Sequence, residues 1–127
     1  MSAAAPPLRL LIVEDDRDAA EELAELLGAW GFAARIAATP DAARAEAAHW
    51  QPGAALIDLE LGGHSGLGIA LQWHGEAGAP RVVLLSGRSL TQGEKALFKG
   101  AEPPLLGKPL DIRRLLDELS NDGGGDA

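Results

Sequence analysis

Asp15, Asp58, Ser86 and Lys108 stand at the ends of four short apolar runs: Leu10 to Val13, Ala54 to Ile57, Val82 to Leu85, and Leu105 to Gly107. Carboxylates, a hydroxyl and an ammonium brought together form a site for a metal ion and a phosphoryl group. Glu14 adds a third acid beside Asp15. Three carboxylates held close repel one another, and a bound divalent cation relieves that repulsion. An all-oxygen set favours Mg²⁺, which keeps several waters and takes few protein carboxylates. Asp15 and Asp58 are read as direct ligands, Glu14 as a ligand through water, and the backbone carbonyl of Glu60 as the remaining protein ligand.

Asp58 is also the candidate nucleophile. A carboxylate attacks a phosphoryl centre to give an aspartyl phosphate, provided the metal neutralises charge. Beyond that the reaction needs mostly positioning and electrostatics. Lys108 supplies a cation for the phosphoryl oxygens, and the hydroxyl of Ser86 and the backbone N–H of Gly87 supply donors.

Each residue alone has a plainer explanation. Glu14, Asp15 and Asp16 could simply cap and charge a helix. Asp58 could end an ordinary strand, and Ser86-Gly87 could make an ordinary turn. Their joint placement at the ends of four strands is what argues for chemistry.

The elements that must position these groups alternate. Short apolar runs bounded by Gly, Pro and polar residues read as buried strands, with helical segments between them. The strands fall at about 8–14, 32–37, up to Asp58, 81–85 and 104–107. The helices fall at about 17–29, 40–49, 66–74, 90–99 and 112–120. Asp16, Thr39 (followed by Pro40) and Asp111 are the expected N-caps of the first, second and fifth helices. Ala19, Leu23, Leu26, Leu27 and Trp30 form the expected core stripe of the first helix, which Gly31 stops. The fifth helix carries Ile112, Leu115, Leu116 and Leu119. Gly93 interrupts the fourth helix, and Pro103-Pro104 puts the fifth strand at a sheet edge. Alternating strands and helices imply an α/β fold with a parallel sheet, whose ligand crevice lies at the carboxyl ends of the strands.

Composition narrows the function. The chain has 127 residues, one domain's worth, with 46% hydrophobic and 24% charged residues. It has no cysteine, which excludes disulfides, thiolate catalysis and cysteine zinc sites. A net charge of −8 argues against direct nucleic-acid binding and for a basic or polar partner surface. No apolar run approaches the ~20 residues of a membrane span, and residues 1–7 lack the pattern of a secretory signal. The expectation is a cytoplasmic protein with residues 1–7 as a flexible lead, a domain over 8–120 and a flexible Gly-rich tail over 121–127. His49 and His74, near helix ends, are expected in solvated or capping roles, and His64 in solvent.

The motifs L-L-I-V-E-D-D (10–16), L-I-D-L-E-L (56–61) with Gly66, V-V-L-L-S-G (82–87) and L-G-K-P-L (106–110) resemble the receiver domain of two-component response regulators. The resemblance covers about residues 8–119. It implies a five-stranded parallel sheet in the order 2-1-3-4-5 with helices on both faces, a doubly wound flavodoxin-like arrangement. It implies Mg²⁺-dependent phosphotransfer to Asp58 from a histidine kinase or histidine phosphotransfer protein, and a cis peptide at Lys108-Pro109. It further implies that phosphorylation shifts the face made by the fourth helix, fifth strand and fifth helix between two conformations. That face would contact a downstream protein target, with a phosphorylation-dependent dimer as one output.

Three positions depart from the family pattern. Gly62 replaces the usual Pro four residues after the acceptor, which frees that loop. Ser86 replaces the commoner Thr. Leu105 occupies the switch position where an aromatic ring is usual, and Pro103-Pro104 lengthens that stretch by one residue, so the output face is expected to signal differently. Glu60 and Arg88, two residues after Asp58 and Ser86, are expected to pair across the site and to modulate attack by water.

The leading expectation is a stand-alone receiver that accepts and loses its own phosphoryl group, not a turnover enzyme. A receiver excised from a longer chain also fits. A degenerate receiver acting as a phosphorylation-independent scaffold is the main alternative. Asp58-Leu59-Glu60 also echoes the Asp-x-Asp of haloacid-dehalogenase-like phosphatases, but those carry their nucleophile after the first strand.

Overall fold

The computed structural model of the chain describes residues 8–61 and 64–120. The expectations for residues 1–7 and 121–127, for the Gly62-Gly63 loop and for the side chain of His64 lie outside the described residues.

Five strands form one parallel sheet: β1 (Arg9–Val13), β2 (Ala33–Ala37), β3 (Ala54–Asp58), β4 (Arg81–Ser86) and β5 (Leu105–Gly107). Their order is β2-β1-β3-β4-β5, so the expected 2-1-3-4-5 arrangement holds. Between them run α1 (Arg17–Ala29), α2 (Pro40–Trp50), α3 (Leu67–Trp73), α4 (Gln92–Leu97) and α5 (Ile112–Ser120). The runs in β1, β3 and β4 are apolar throughout because both sheet faces are covered. Leu11, Val13, Ala55, Ile57, Val82 and Leu84 point into one core with Ala43 of α2, Ile69 and Trp73 of α3, and Phe98. Their neighbours Leu10, Ile12, Ala54, Leu56, Val83 and Leu85 point into the other, with Ala20 and Leu27 of α1 and Leu115 and Leu119 of α5. The alternation is the period-2 geometry of a strand.

Helix starts follow local chemistry. The Asp16 carboxylate accepts from Ala19 N at 3.2 Å, Thr39 Oγ1 from Ala42 N at 3.1 Å, and Asp111 Oδ1 from Arg113 N at 3.0 Å. Gly31, at φ +96, ends α1 in a conformation that suits glycine. β5 is an edge strand, with Pro104 preceding it and its carbonyl accepting from Leu84 N at 2.8 Å.

Three expectations need correction. The core stripe of α1 is Ala20, Leu23, Ala24 and Leu27; Ala19 is exposed, and Leu26 and Trp30 are 43% and 58% exposed. The helix is rotated by about one residue, roughly 100°, from the sequence reading. α4 spans six residues, not ten: Leu90 is buried before it and Thr91 caps it. Gly93 thus falls in its first turn, where backbone N–H groups have no helical acceptor to lose. The loop after β3 contains a two-residue antiparallel ribbon, Glu60–Leu61 against His64–Ser65, that periodicity did not reveal. His74, expected in a solvated or capping role, is the C-cap of α3, half-buried with its ring edge-on to Phe98 at 5.1 Å.

Candidate functional site

Parallel strands deliver their ends to one edge, and that edge collects Glu14, Asp15, Asp58, Ser86 and Lys108. Glu14 follows β1, with its backbone N–H on Ala37 O at 3.0 Å, and Asp15 follows it into solvent. Asp58 is the last residue of β3 and Ser86 the last of β4; register places Asp58 beside Leu85 and Ser86 beside Gly107. Lys108 follows β5, its N–H bonded to Ser86 O at 3.0 Å, and its peptide bond to Pro109 is cis.

Glu14, Asp58 and Ser86 are buried polar residues. Such groups need partners, and each has them. Asp58 Oδ1 accepts from Glu60 N at 2.9 Å, and Oδ2 from Lys108 Nζ at 2.8 Å. Glu14 Oε2 accepts from Asp16 N at 3.1 Å, and Oε1 lies 3.5 Å from Lys108 Nζ. Ser86 Oγ accepts from Arg88 N at 3.0 Å, which leaves its own proton free to donate.

Electrostatics mark the same place. Burial, then the neighbouring Asp58 charge, hold the Glu14 carboxyl above the usual carboxylate range, against the opposing pull of the Asp16 N–H and of Lys108. Burial disfavours the charge on Lys108, but its bond to Asp58 and the charges of Asp58 and Glu14 outweigh that and raise its pKa. One carboxylate oxygen from each of Glu14, Asp15 and Asp58 lies within 4.8 Å of the others. That all-oxygen set suits a hard divalent cation such as Mg²⁺.

The loop after β3 is held hard against Asp58. Gly66 N donates to Leu59 O at 2.9 Å, and a Cβ on Gly66 would sit 2.2 Å from Asp58 O and 2.7 Å from Ile57 Cγ2. Only glycine permits that approach. Its place in the motif is therefore steric.

Arg88 and Glu60 meet as expected, with Nε of Arg88 3.2 Å from Glu60 Oε2. The sequence reading missed Glu94. Arg88 Nη1 and Nη2 reach its two carboxylate oxygens at 2.8 and 2.9 Å, a bidentate pair. A Glu three residues after Thr91 is a readable capping-box signal, though its second partner is not. Leu105 is half-buried against the core formed by α2, α3 and Phe98, with neither ring nor hydroxyl at that position.

A cleft of about 390 Å³ opens beside Lys108, lined by Glu14, Leu23, Leu26, Leu85, Pro109 and Leu110. A larger one, about 700 Å³, lies at the opposite edge of the sheet near Gly53 and Arg81, remote from the clustered carboxylates. Among the described residues, no helix is long and apolar enough to cross a membrane.

The chain is similar to known signalling proteins over nearly its whole length. It is 35% identical over 115 residues to the acid tolerance regulatory protein ActR of Sinorhizobium medicae, covering 90% of this chain and 59% of that protein. It thus spans about three-fifths of the length of such curated relatives. A CheY-like response regulator receiver domain from Methylobacillus flagellatus superposes with a TM-score of 0.77 at 31% identity, covering 91% of this chain and 98% of that one. A Burkholderia pseudomallei response regulator solved with a phosphorylated aspartic acid, calcium ion and citrate superposes with a TM-score of 0.77 at 25% identity, over 91% of this chain and 69% of that one. The family model described as the response regulator receiver domain matches residues 10–120. With its parallel sheet and acidic strand ends, the chain belongs to the receiver-domain family of two-component response regulators.

Proposed function

We propose that this receiver domain accepts a phosphoryl group on Asp58 from a histidine kinase or histidine phosphotransfer protein and signals through protein contacts. The observation that carries the reading is the pairing of Lys108 Nζ with Asp58 Oδ2 at 2.8 Å inside a cluster of three carboxylates.

A carboxylate oxygen of Asp58 attacks phosphorus, the bond from phosphorus to the donor's imidazole nitrogen breaks, and that nitrogen keeps the electron pair. Lys108 then exchanges its contact with the bare carboxylate for one with a phosphoryl oxygen, while Ser86 Oγ–H and Gly87 N–H donate to others. Water attacking phosphorus later breaks the acyl phosphate bond and restores the carboxylate and inorganic phosphate. Asp15 and Asp58, with Glu14 through water and the Glu60 carbonyl, would hold Mg²⁺, which when bound supplies neutralising charge at the phosphoryl oxygens. The protein is thereby an acceptor that returns to its starting state, not a turnover enzyme. Net charge of −8 supports a protein target over nucleic acid, and the reading places the chain in the cytoplasm.

The test is intact-protein mass after incubation with Mg²⁺ and acetyl phosphate. One added phosphoryl group, absent in Asp58→Ala and in the presence of chelator, is expected. An unchanged mass both with acetyl phosphate and with a panel of histidine kinases would overturn the reading in favour of a phosphorylation-independent scaffold.

A further inference from the structure

α4 is the shortest of the five helices among the described residues. It has six residues, none of them buried, and Leu97 is 54% exposed. A helix that short has no stability of its own in water. Its order therefore rests on its two ends. At the carboxyl end Phe98 is inserted in the core. At the amino end Thr91 Oγ1 accepts from Glu94 N at 3.1 Å, and Glu94 Oε1 accepts from Thr91 N at 2.8 Å.

Glu94 serves a second partner through the same carboxylate. Both of its oxygens engage the Arg88 guanidinium, whose Nε meanwhile holds Glu60 and whose Nη1 also reaches Ser89 O at 2.9 Å. The backbone N–H of Arg88 is bonded to Ser86 Oγ, and the backbone N–H of Glu60 to Asp58 Oδ1. One arginine thus touches α4's cap, the loop after Asp58 and the hydroxyl of the site. Lysine, a point charge without a planar fork, could not hold both acids in this geometry.

We propose that Arg88 couples the Asp58 site to the folding of α4, so that the state of the site sets whether this short helix is ordered. Rotation of the Ser86 side chain about χ1, carrying Oγ toward a phosphoryl oxygen, draws the acceptor away from Arg88 N–H. Displacement of Arg88 then withdraws the bidentate clamp from Glu94 and leaves α4 to its capping box alone. The coupling itself stands without phosphorylation; only its use as a switch rests on the reading of Asp58 as acceptor.

Amide hydrogen exchange at Lys95 to Lys99 tests it, with mass recorded on the same samples. Arg88→Ala should speed exchange of these amides about fivefold, comparable to loss of a cap, while β1 and β3 amides are unchanged. Arg88→Lys should fall between. Thr91→Ala should also speed α4 exchange but retain its further response to Mg²⁺ and acetyl phosphate. Arg88→Ala should gain the phosphoryl group yet lose that response. Unchanged α4 exchange in unphosphorylated Arg88→Ala, or an equal response in Arg88→Ala and wild type, would overturn the coupling. If wild type gains no mass, the phosphorylation reading fails instead, and the unphosphorylated comparison alone decides whether Arg88 governs α4.

Discussion

The Lys108 ammonium sits 2.8 Å from Asp58 Oδ2, across 50 residues of sequence, and occupies the charge position that a metal-loaded or phosphorylated site would contest. The lysine lies over the mouth, with its side chain 41% exposed, whereas that of Asp58 is 4% exposed. Removing it leaves three carboxylates facing one another with only N–H donors for company. Lys108→Ala is therefore expected to lose roughly 1–2 kcal/mol of stability in chelator, the partial exposure of the lysine keeping the cost below that of a fully buried pair. The same variant should bind Mg²⁺ more tightly, because a competing cation is gone, yet take up phosphoryl groups far more slowly. Chemical denaturation, calorimetric titration and the mass assay check the three effects separately.

Carboxylate repulsion in the Glu14, Asp15 and Asp58 cluster also predicts a response to divalent cations. Mg²⁺ bound at the cluster would raise the melting temperature of the native chain, because the dispersed acids of the unfolded chain offer no such site. Asp15→Asn should remove most of that rise while leaving the metal-free protein as stable as wild type or slightly more so. A Mg²⁺-induced rise that is the same in both proteins would mean the ion binds elsewhere.

Gly66 gives a purely steric prediction. A methyl group at this position meets the Asp58 carbonyl at 2.2 Å, so the loop or the end of β3 must shift. Gly66→Ala is expected to cost about 3 kcal/mol, at the upper end for overpacking. Gly68→Ala has open space around its Cβ within a helix and should cost nothing or stabilise slightly. Urea denaturation of the two variants side by side checks the contrast.

The clamp on Glu94 has a pH signature. The Arg88 hydrogen bonds first, and the Thr91 N–H second, hold the Glu94 carboxyl at about 2, below its usual 4.5. A depressed carboxylate contributes stability above its unfolded value, and that contribution fades as pH falls from about 4.5 towards about 2. Carboxyl-carbon NMR should therefore find Glu94 still ionised at pH 3 in wild type. In Arg88→Ala its midpoint should move up towards 4.5. Equal midpoints in the two proteins would remove the clamp from the account.

The order of elements was legible from the chain alone, because the signals are local. Apolar runs such as Leu10 to Val13 need burial on both faces. Asp16, Thr39 and Asp111 carry oxygen acceptors one position before a helix. Once the strands are parallel, their carboxyl ends share an edge, so Asp15, Asp58, Ser86 and Lys108 had to assemble there wherever the helices settled.

Tertiary structure alone decided what depends on rotation and reach. A helix with apolar residues on adjacent faces has two nearly equivalent ways to turn. Contact with the sheet chose Ala20 and Leu27 for the core and left Leu26 and Trp30 in solvent. Likewise Arg88 had acids within reach on two elements, and its fork closed on Glu94 while Nε kept Glu60, a division set by where the cap of α4 lies in space. Gly66 was legible as a motif residue, but its steric role emerged only with the Asp58 carbonyl found against it. Local chemistry places residues along the chain. The distances between side chains far apart in sequence exist only once the packed layers fix them.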